Sequence, residues 1–249
     1  MLPQGSWPPC SMKISREHYI SATVLKALGG NNGTAQIGGL PWQPEQTLQG
    51  IGIQSLQSKI LCETHNSGLS VLDSVAGRLF CTLDAADKNP MSLPIVSQFD
   101  GPSVERWFIK VLCGLTAAAG FGNGTIPDQW KRILVGEDWP NLWGAYLAVP
   151  TSPLILAPEF SLDTSIHPET RAIFAATFRV AGVPFKIALG RPDNSEQFGV
   201  YRPRGIIFQL PAGERRVEFI WPFPNERAVI FSKVGMNTDR PPQWGDWKE

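Results

Sequence analysis

Side chains able to bind metals or move protons are concentrated in two short segments of the first third of the sequence. They are Cys10, Glu17, His18, Cys62, His65 and Asn66. Thiolate and imidazole are ligands that zinc prefers, whereas carboxylate and carboxamide oxygens suit harder ions such as Mg²⁺ or Mn²⁺. An imidazole with a pKa of about 6.5 can also accept a proton from water at neutral pH. Taken singly, each residue has a structural alternative, because a lone histidine or cysteine is commonly part of a packed core.

The order of these residues resembles that of the HNH nuclease superfamily, whose fold is the ββα-metal (treble-clef) module. Ser15-Arg16-Glu17-His18-Tyr19-Ile20-Ser21 is similar to the acidic-His segment of that family. Leu61-Cys62-Glu63-Thr64-His65-Asn66 is similar to its zinc-knuckle segment, in a variant with Asn at the last catalytic position. A predicted helix that ends at Gly29-Gly30 lies between the two segments. The resemblance covers roughly residues 7–80.

This resemblance implies a metal-dependent endonuclease that hydrolyses DNA phosphodiester bonds. Glu17 and Asn66 match the ligands of a catalytic Mg²⁺ or Mn²⁺ ion, and His18 matches the general base. The ion would neutralise charge on the phosphate while the base deprotonates the attacking water. Asp73 is expected beside the site or at the surface rather than on the ion. The alternative is a catalytically degenerate, HNH-like protein that binds zinc or nucleic acid or acts as an adaptor.

A structural zinc site is a second implication of the resemblance. Cys10, Cys62 and His65 would supply three of the four ligands that structural zinc requires. Trp7 stands where the remaining knuckle ligand is expected, so zinc is either held by three protein groups or replaced by packing. Cys81 is a remote candidate for the fourth ligand, although a core position is the favoured prediction for it.

Net charge restricts how the protein could bind nucleic acid. The 22 basic residues are balanced by 22 acidic ones, which argues against a protein that coats DNA or RNA. Four arginines interleaved with aromatic residues are candidate nucleic-acid contacts: Arg202, Arg204, Arg215 and Arg216. A solvated face of two strands is the slightly favoured alternative. DNA binding is therefore expected to be weak and salt-sensitive.

The spacing of apolar residues predicts an α+β protein. Helices are predicted over 20–28, from Asn66-Ser67 to residue 79, and over 102–115. Residues 31–57 are predicted to be loop-like with some extended character, and residues 129–142 to be a weak mixed segment. From residue 152 the pattern changes to short β-like runs, which favour a mainly antiparallel sheet with a helical layer. The runs lie at 154–156, 172–180, 185–189, 205–209, 217–220 and 229–231.

A polar, turn-rich stretch from Asp84 to Asp100 is predicted to be a linker, which places a domain boundary near residue 92. The prediction is an HNH-like module over 1–92 and an α+β domain of unknown role over 93–249. The second domain is a candidate surface for a protein partner or a homo-oligomer. Trp244 and Trp247 are expected either to fold back onto the sheet or to contact such a partner.

Three further features favour a cytoplasmic protein without a membrane anchor. No apolar run reaches the ~18–20 residues that a bilayer crossing requires. The N-terminal residues show no secretory signal. Four cysteines in 249 residues do not form a disulfide framework, so a reducing compartment is expected.

Overall fold

The computed structural model describes residues 8–29, 33–44, 47–88, 96–119, 121–148, 159–192, 194–210, 213–223, 227–232 and 243–246. Over these ranges the chain forms three sheets, of two, seven and five strands, together with five helices. Most neighbouring strands run antiparallel. The predicted α+β class is confirmed.

The helices and strands alternate irregularly along the chain. The helices are α1 (Ala22–Gly29), α2 (Glu63–Lys88), α3 (Gly101–Ala119), α4 (Asp128–Leu134) and α5 (Ser195–Phe198). The strands are β1 (Ile14–His18), β2 (Thr34–Gly38), β3 (Leu48–Gly52), β4 (Gln57–Cys62), β5 (Val96–Asp100), β6 (Gly144–Leu147), β7 (Glu159–Ile166), β8 (Ile173–Val180), β9 (Val183–Ala188), β10 (Val200–Tyr201), β11 (Gly205–Leu210), β12 (Gly213–Ile220), β13 (Arg227–Ser232) and β14 (Gln243–Asp246).

Strands from both ends of the chain share sheets. The seven-stranded sheet has the order β10-β6-β9-β8-β7-β2-β3, and the five-stranded sheet has the order β14-β13-β11-β12-β5. The pairs β2–β7, β5–β12 and β11–β13 are parallel, and other elements lie between the two strands of each pair, as the crossover in a parallel pair requires. The third sheet consists of β1 and β4 alone.

Helix α3 lies at the centre of the buried core. Its apolar residues recur at helical spacing, and Trp107, Phe108 and Leu112 are at most 1% exposed. The Phe108 ring lies 4.6 Å from that of Phe178 and 5.4 Å from that of Phe185, measured between centroids. Because Phe178 and Phe185 belong to β8 and β9, these contacts pack the helix against the seven-stranded sheet.

Strands β1 and β4 and helix α2 carry the segments that resemble the HNH family. The two strands pair antiparallel, with Ile14 opposite Cys62, and α2 begins at the next residue, Glu63. However, α1, β2, β3 and a 3-10 turn (Ile53–Leu56) lie between the strands, and β2 and β3 belong to the seven-stranded sheet. A compact ββα unit is therefore not clearly delimited, and the HNH-like module stays a prediction.

Several predicted elements change in position or extent. The predicted linker from Asp84 to Asp100 is wrong at both ends, because α2 continues to Lys88 and β5 occupies Val96–Asp100. The segment predicted to be loop-like contains β2 and β3, and the mixed segment begins with α4. The boundary at residue 92, the run at 154–156, Trp7 and Trp247 lie outside the described residues. The two-domain division stays a prediction.

Two features of the remaining elements bear on interactions. Strand β14, which contains Trp244, pairs antiparallel with β13, as expected if this segment folds back onto the sheet. Within the described ranges, no helix combines the length and the apolar character needed to cross a membrane.

Candidate functional site

Glu17 is a buried carboxylate near the end of β1. The register between β1 and β4 is irregular at Ser15–Glu17, and Glu17 is 7% exposed whereas the preceding Arg16 is exposed. Its Oε1 lies 2.5 Å from Nζ of Lys110, a side chain of α3 that is 5% exposed. The residue that the HNH resemblance assigns to a divalent ion is thus paired with an ammonium group of the protein itself.

Asp73 of α2 extends this ion pair into a cluster. Its Oδ2 accepts a hydrogen bond from Lys110 Nζ at 2.6 Å, and its Oδ1 accepts one from Ser21 Oγ at 2.5 Å. The Ser21 hydroxyl also accepts a hydrogen bond from Trp107 Nε1 at 2.6 Å. Glu17, Lys110 and Asp73, here called the Lys110 cluster, join β1, α2 and α3 through buried or partly buried polar contacts.

Asn66 lies in the first turn of α2, beside the cluster. Its Nδ2 donates to Ser15 Oγ at 3.0 Å, and the same side chain hydrogen-bonds to Glu17. An ionised carboxylate only accepts hydrogen bonds, so the amide presents an N–H group to Glu17. The structure therefore brings the two predicted metal ligands together, but Asn66 offers Glu17 a donor rather than its oxygen.

This arrangement does not fit a catalytic Mg²⁺ or Mn²⁺ ion. Such an ion needs about six oxygen ligands, whereas Oε1 of Glu17 already pairs with the Lys110 ammonium. Burial raises the pKa of the Glu17 carboxyl, an effect that Lys110 and Asn66 oppose. One turn after Asn66, the Ser70 hydroxyl donates to the Ser67 carbonyl oxygen instead of facing the cluster.

His18 is held by the opposite strand. Gln57, its partner in the β1–β4 register, places its amide Nε2 2.9 Å from His18 Nε2. An amide nitrogen only donates, so this ring nitrogen accepts, and the other ring nitrogen donates to the Ile53 carbonyl. Burial lowers the pKa of His18 from its usual 6.5 despite the Ile53 hydrogen bond. The imidazole is therefore neutral near pH 7, with its acceptor nitrogen bonded to Gln57.

We expect His18 to titrate at a lower pH in the folded protein than in the unfolded chain. Burial disfavours the imidazolium, whereas the unfolded chain has the ordinary pKa of about 6.5. Because the folded pKa is lower, stability should fall as pH drops below about 6.5 and level off below the folded pKa. NMR titration of the His18 ring proton, repeated in urea, measures both values. A folded midpoint at or above the urea midpoint would contradict the buried position.

Cys10, Cys62 and His65, here called the cysteine–histidine cluster, converge at the end of β1 and β4 that lies opposite His18. Their possible ligand atoms, two Sγ and a ring nitrogen, all lie within 4.8 Å of one another. Cys62 ends β4 and His65 lies in the first turn of α2, so the strand-to-helix junction sets their spacing. Cys10 precedes β1, whose residue Ile14 lies opposite Cys62. The cluster is large enough and has the donor set to hold one metal ion.

The His65 ring has the tautomer that a metal site requires. Its Nε2 lies 2.9 Å from the Pro8 carbonyl oxygen, which only accepts, so Nε2 carries the proton. In the neutral ring the unprotonated Nδ1 then faces Cys62 Sγ at 3.3 Å. A hydrogen bond from the second ring nitrogen to a backbone carbonyl is the usual support of a metal-binding histidine.

The Cys62 thiol is predisposed to be a thiolate. The backbone N–H of His65, together with Cys10 and Ser11, lowers the pKa of Cys62 to about 6. The thiolate is the form that binds metals. These residues therefore fit zinc, with three protein ligands among the described residues. Cys81, the remote fourth candidate, is not part of this cluster, and the core position predicted for it is wrong, because it is exposed on α2.

A cavity of about 360 Å³ lies beside the Lys110 cluster. Its polar lining residues are Glu17, His18, His65, Lys110 and Lys131. Most of the other lining side chains, from β4, α2, α3 and α4, are apolar. Gly114 permits the close approach of α3 to the residue that follows β1, since a Cβ there would lie 2.6 Å from the Cβ of Tyr19. The predicted catalytic residues Glu17 and His18 thus face a half-open, largely apolar space.

Comparison with known proteins identifies no relative. No family model, curated protein or solved structure matches the chain. The resemblance to HNH nucleases therefore still rests on the motifs around Glu17 and Cys62. Three features of the structure bear on function: the Lys110 cluster, the cysteine–histidine cluster and the cavity.

The four arginines proposed as nucleic-acid contacts do not form one exposed patch. Arg202 donates from Nε and Nη2 to the two carboxylate oxygens of Glu105, at 3.0 and 3.1 Å, and Glu105 is fully buried. Arg215 is 7% exposed and donates to a backbone carbonyl of α2 at 2.6 Å. Arg216 pairs with Glu214 at 3.1 Å, and Arg204 is half-buried. At least two of the four are directed into the protein.

Two residues of the site were not predicted from the sequence. Lys110 lies in the helix predicted over 102–115, where it was not assigned a role, and Gln57 lies in the segment predicted to be loop-like with some extended character. A lysine on the buried face of a helix requires a carboxylate partner, which is the signal that could have identified Lys110. No comparable signal marks Gln57, because its role depends on the β1–β4 register.

Proposed function

We propose that this protein is a zinc-stabilised binding protein in which the HNH-like catalytic position has become a structural ion-pair cluster. Its ligand enters the cavity beside that cluster rather than being cleaved at a divalent ion. This corresponds to the degenerate alternative among the sequence-based hypotheses. A cytoplasmic location, where the free cysteines stay reduced, belongs to the same proposal.

One observation carries the proposal: Lys110 Nζ contacts both Glu17 and Asp73, at 2.5 and 2.6 Å. A cation bound to Glu17 would lie next to this buried ammonium, and their repulsion in a low-dielectric interior is large. The lysine supplies the positive charge that a divalent ion would otherwise bring. Its position therefore supports a site that is complete without Mg²⁺ or Mn²⁺.

The cysteine–histidine cluster supports the zinc part of the proposal. Cys10, Cys62 and His65 combine a three-ligand set, a suitable histidine tautomer and, at Cys62, an environment that favours the thiolate, whereas the hydrogen bond to Cys62 raises the pKa of Cys10. Zinc held there would tie the segment before β1 to the junction of β4 and α2. Its role would be structural, because neither Glu17 nor Lys110 belongs to its ligand set, although His65 lines the same cavity as both.

We expect the purified protein not to nick supercoiled plasmid DNA in millimolar Mg²⁺ or Mn²⁺. Agarose gel electrophoresis of plasmid incubated with the zinc-loaded chain measures this. The informative variants are His18→Ala and, as a matched control, His167→Ala, which changes an exposed turn histidine. Divalent-dependent nicking that His18→Ala abolishes and His167→Ala retains would overturn the proposal.

The metal-dependent endonuclease with DNA as substrate is the second candidate. It is favoured by the neutral His18 imidazole, which lines the same cavity as Glu17. A neutral ring is the form that a general base needs. To act in this way, His18 would have to leave Gln57, and Lys110 would have to leave Glu17. The plasmid experiment decides between the two candidates.

A further inference from the structure

Resting on the proposed function, we infer that the cavity beside the Lys110 cluster binds a neutral amphiphile: a largely apolar small molecule with one carboxamide, carbonyl or hydroxyl oxygen directed at Lys110. The proposed binding function leaves its ligand unspecified, and a neutral amphiphile would be that ligand. It depends on the size of the cavity, its apolar walls and the hydrogen-bonding capacity of its polar side.

The size and walls of the cavity suit a small organic ligand. A volume of about 360 Å³ lies within the range of roughly 300–1,000 Å³ typical of ligand sites. The walls include Leu69 of α2, Leu134 of α4 and Ile60 of β4. Such walls favour burial of a hydrocarbon body by the hydrophobic effect.

Lys110, which lines the cavity, offers a hydrogen-bond donor in a fixed position. An ammonium group carries three N–H donors. Within the described part of the chain, Glu17 and Asp73 accept two of those from Lys110, which leaves the third for an acceptor bound in the cavity. The two carboxylates also fix the lysine side chain, so little entropy is lost when a ligand oxygen binds.

Charge balance selects a neutral ligand over an ionic one. Lys110 already faces two carboxylates, and Lys131 at the cavity is paired with Asp128 at 2.8 Å. An anionic head group would find no buried cation without a carboxylate partner, since the Lys131–Asp128 pair is exposed, and it would lie near Glu17. A cationic head group would lie near the buried ammonium. A neutral oxygen accepts the Lys110 hydrogen bond without either repulsion.

The test uses three ligands with the same hydrocarbon chain: octanamide, octanoate and octylamine. Isothermal titration calorimetry with the zinc-loaded, full-length protein should give a Kd for octanamide at least about tenfold lower than for either ion. Ala117→Phe places a bulky ring at an exposed position that lines the cavity and should abolish octanamide binding. The control Val71→Phe alters an exposed position of α2 outside the cavity and should leave the Kd unchanged.

The possible outcomes separate this inference from the proposed function. Failure of all three ligands to bind, tighter binding of octanoate or octylamine, or unchanged octanamide binding by Ala117→Phe would each overturn the neutral-amphiphile inference alone. Divalent-dependent plasmid cleavage would instead overturn the proposed function. Octanamide binding that is selective and lost only in Ala117→Phe supports the inference.

Discussion

Lys110→Met is expected to lower the free energy of unfolding by about 3–5 kcal/mol. Methionine preserves the length and packing of the side chain but leaves the carboxylates of Glu17 and Asp73 without their shared cation. Both are largely buried, with side-chain exposures of 9% and 20%, so solvent replaces little of the lost interaction. Urea denaturation followed by circular dichroism measures the change.

Two companion variants show whether the loss comes from uncompensated charge. Lys26→Met, at an exposed position of α1, should change stability by no more than about 0.5 kcal/mol. Adding Glu17→Gln to Lys110→Met removes one orphaned charge and should recover part of the loss, because the two effects are coupled. A loss below about 1 kcal/mol in Lys110→Met, or no recovery in the double variant, would show that the cluster contributes little.

The same variant tests the idea that the lysine stands in for a metal ion. Without the ammonium, Glu17 and Asp73 form a pair of carboxylates beside Asn66. Carboxylate oxygens are ligands that suit Mn²⁺. We expect Mn²⁺ to raise the Tm of Lys110→Met progressively with concentration and to leave that of the unaltered protein unchanged. A Mn²⁺-dependent rise in the unaltered protein that Glu17→Gln removes would restore the catalytic-ion hypothesis.

The behaviour of Lys110 illustrates what the sequence could and could not predict about the site. Cys62, His65 and Asn66 are contiguous or nearly so, and a helix starting there places them within one turn, so local spacing was informative. Lys110 is more than forty residues away, and it reaches Glu17 only because α3 packs beside α2 and β1. Periodicity indicated which face of α3 is buried but not which element covers that face.

The strands also show that local sequence patterns predict single elements better than their pairing. β8 and β11 were predicted because β-branched and aromatic residues recur in them between clear turns. β2 and β3 were predicted only as extended loop, since Gly38, Gly50 and Gly52 lower their intrinsic strand preference. Their pairing with each other and with β7 overrides that preference. Parallel pairs between distant segments leave no local pattern, which is why the mixed sheets were not anticipated.

The second large effect is expected at the cysteine–histidine cluster. The purified chain should contain about one zinc ion, as measured by inductively coupled plasma mass spectrometry, and Cys62→Ser should contain almost none. Serine cannot supply a thiolate, and Cys10 and His65 alone leave two ligand positions to fill. Because binding to the folded state stabilises it, chelation should lower the Tm by about 10 °C or more.

Cys81→Ser is the matched control, because it makes the same chemical change at an exposed position of α2 outside the cluster. It should keep its zinc and its Tm, whereas Cys10→Ser should behave like Cys62→Ser. Zinc retained by Cys62→Ser would exclude the cluster as the metal site, and zinc lost from Cys81→Ser would make this residue the missing ligand. If Cys62→Ser and Cys10→Ser lose zinc and have a lower Tm but still bind octanamide, the zinc site and the ligand cavity are independent. Zinc would then stabilise the junction of β4 and α2, and the Lys110 cluster would maintain the cavity without it.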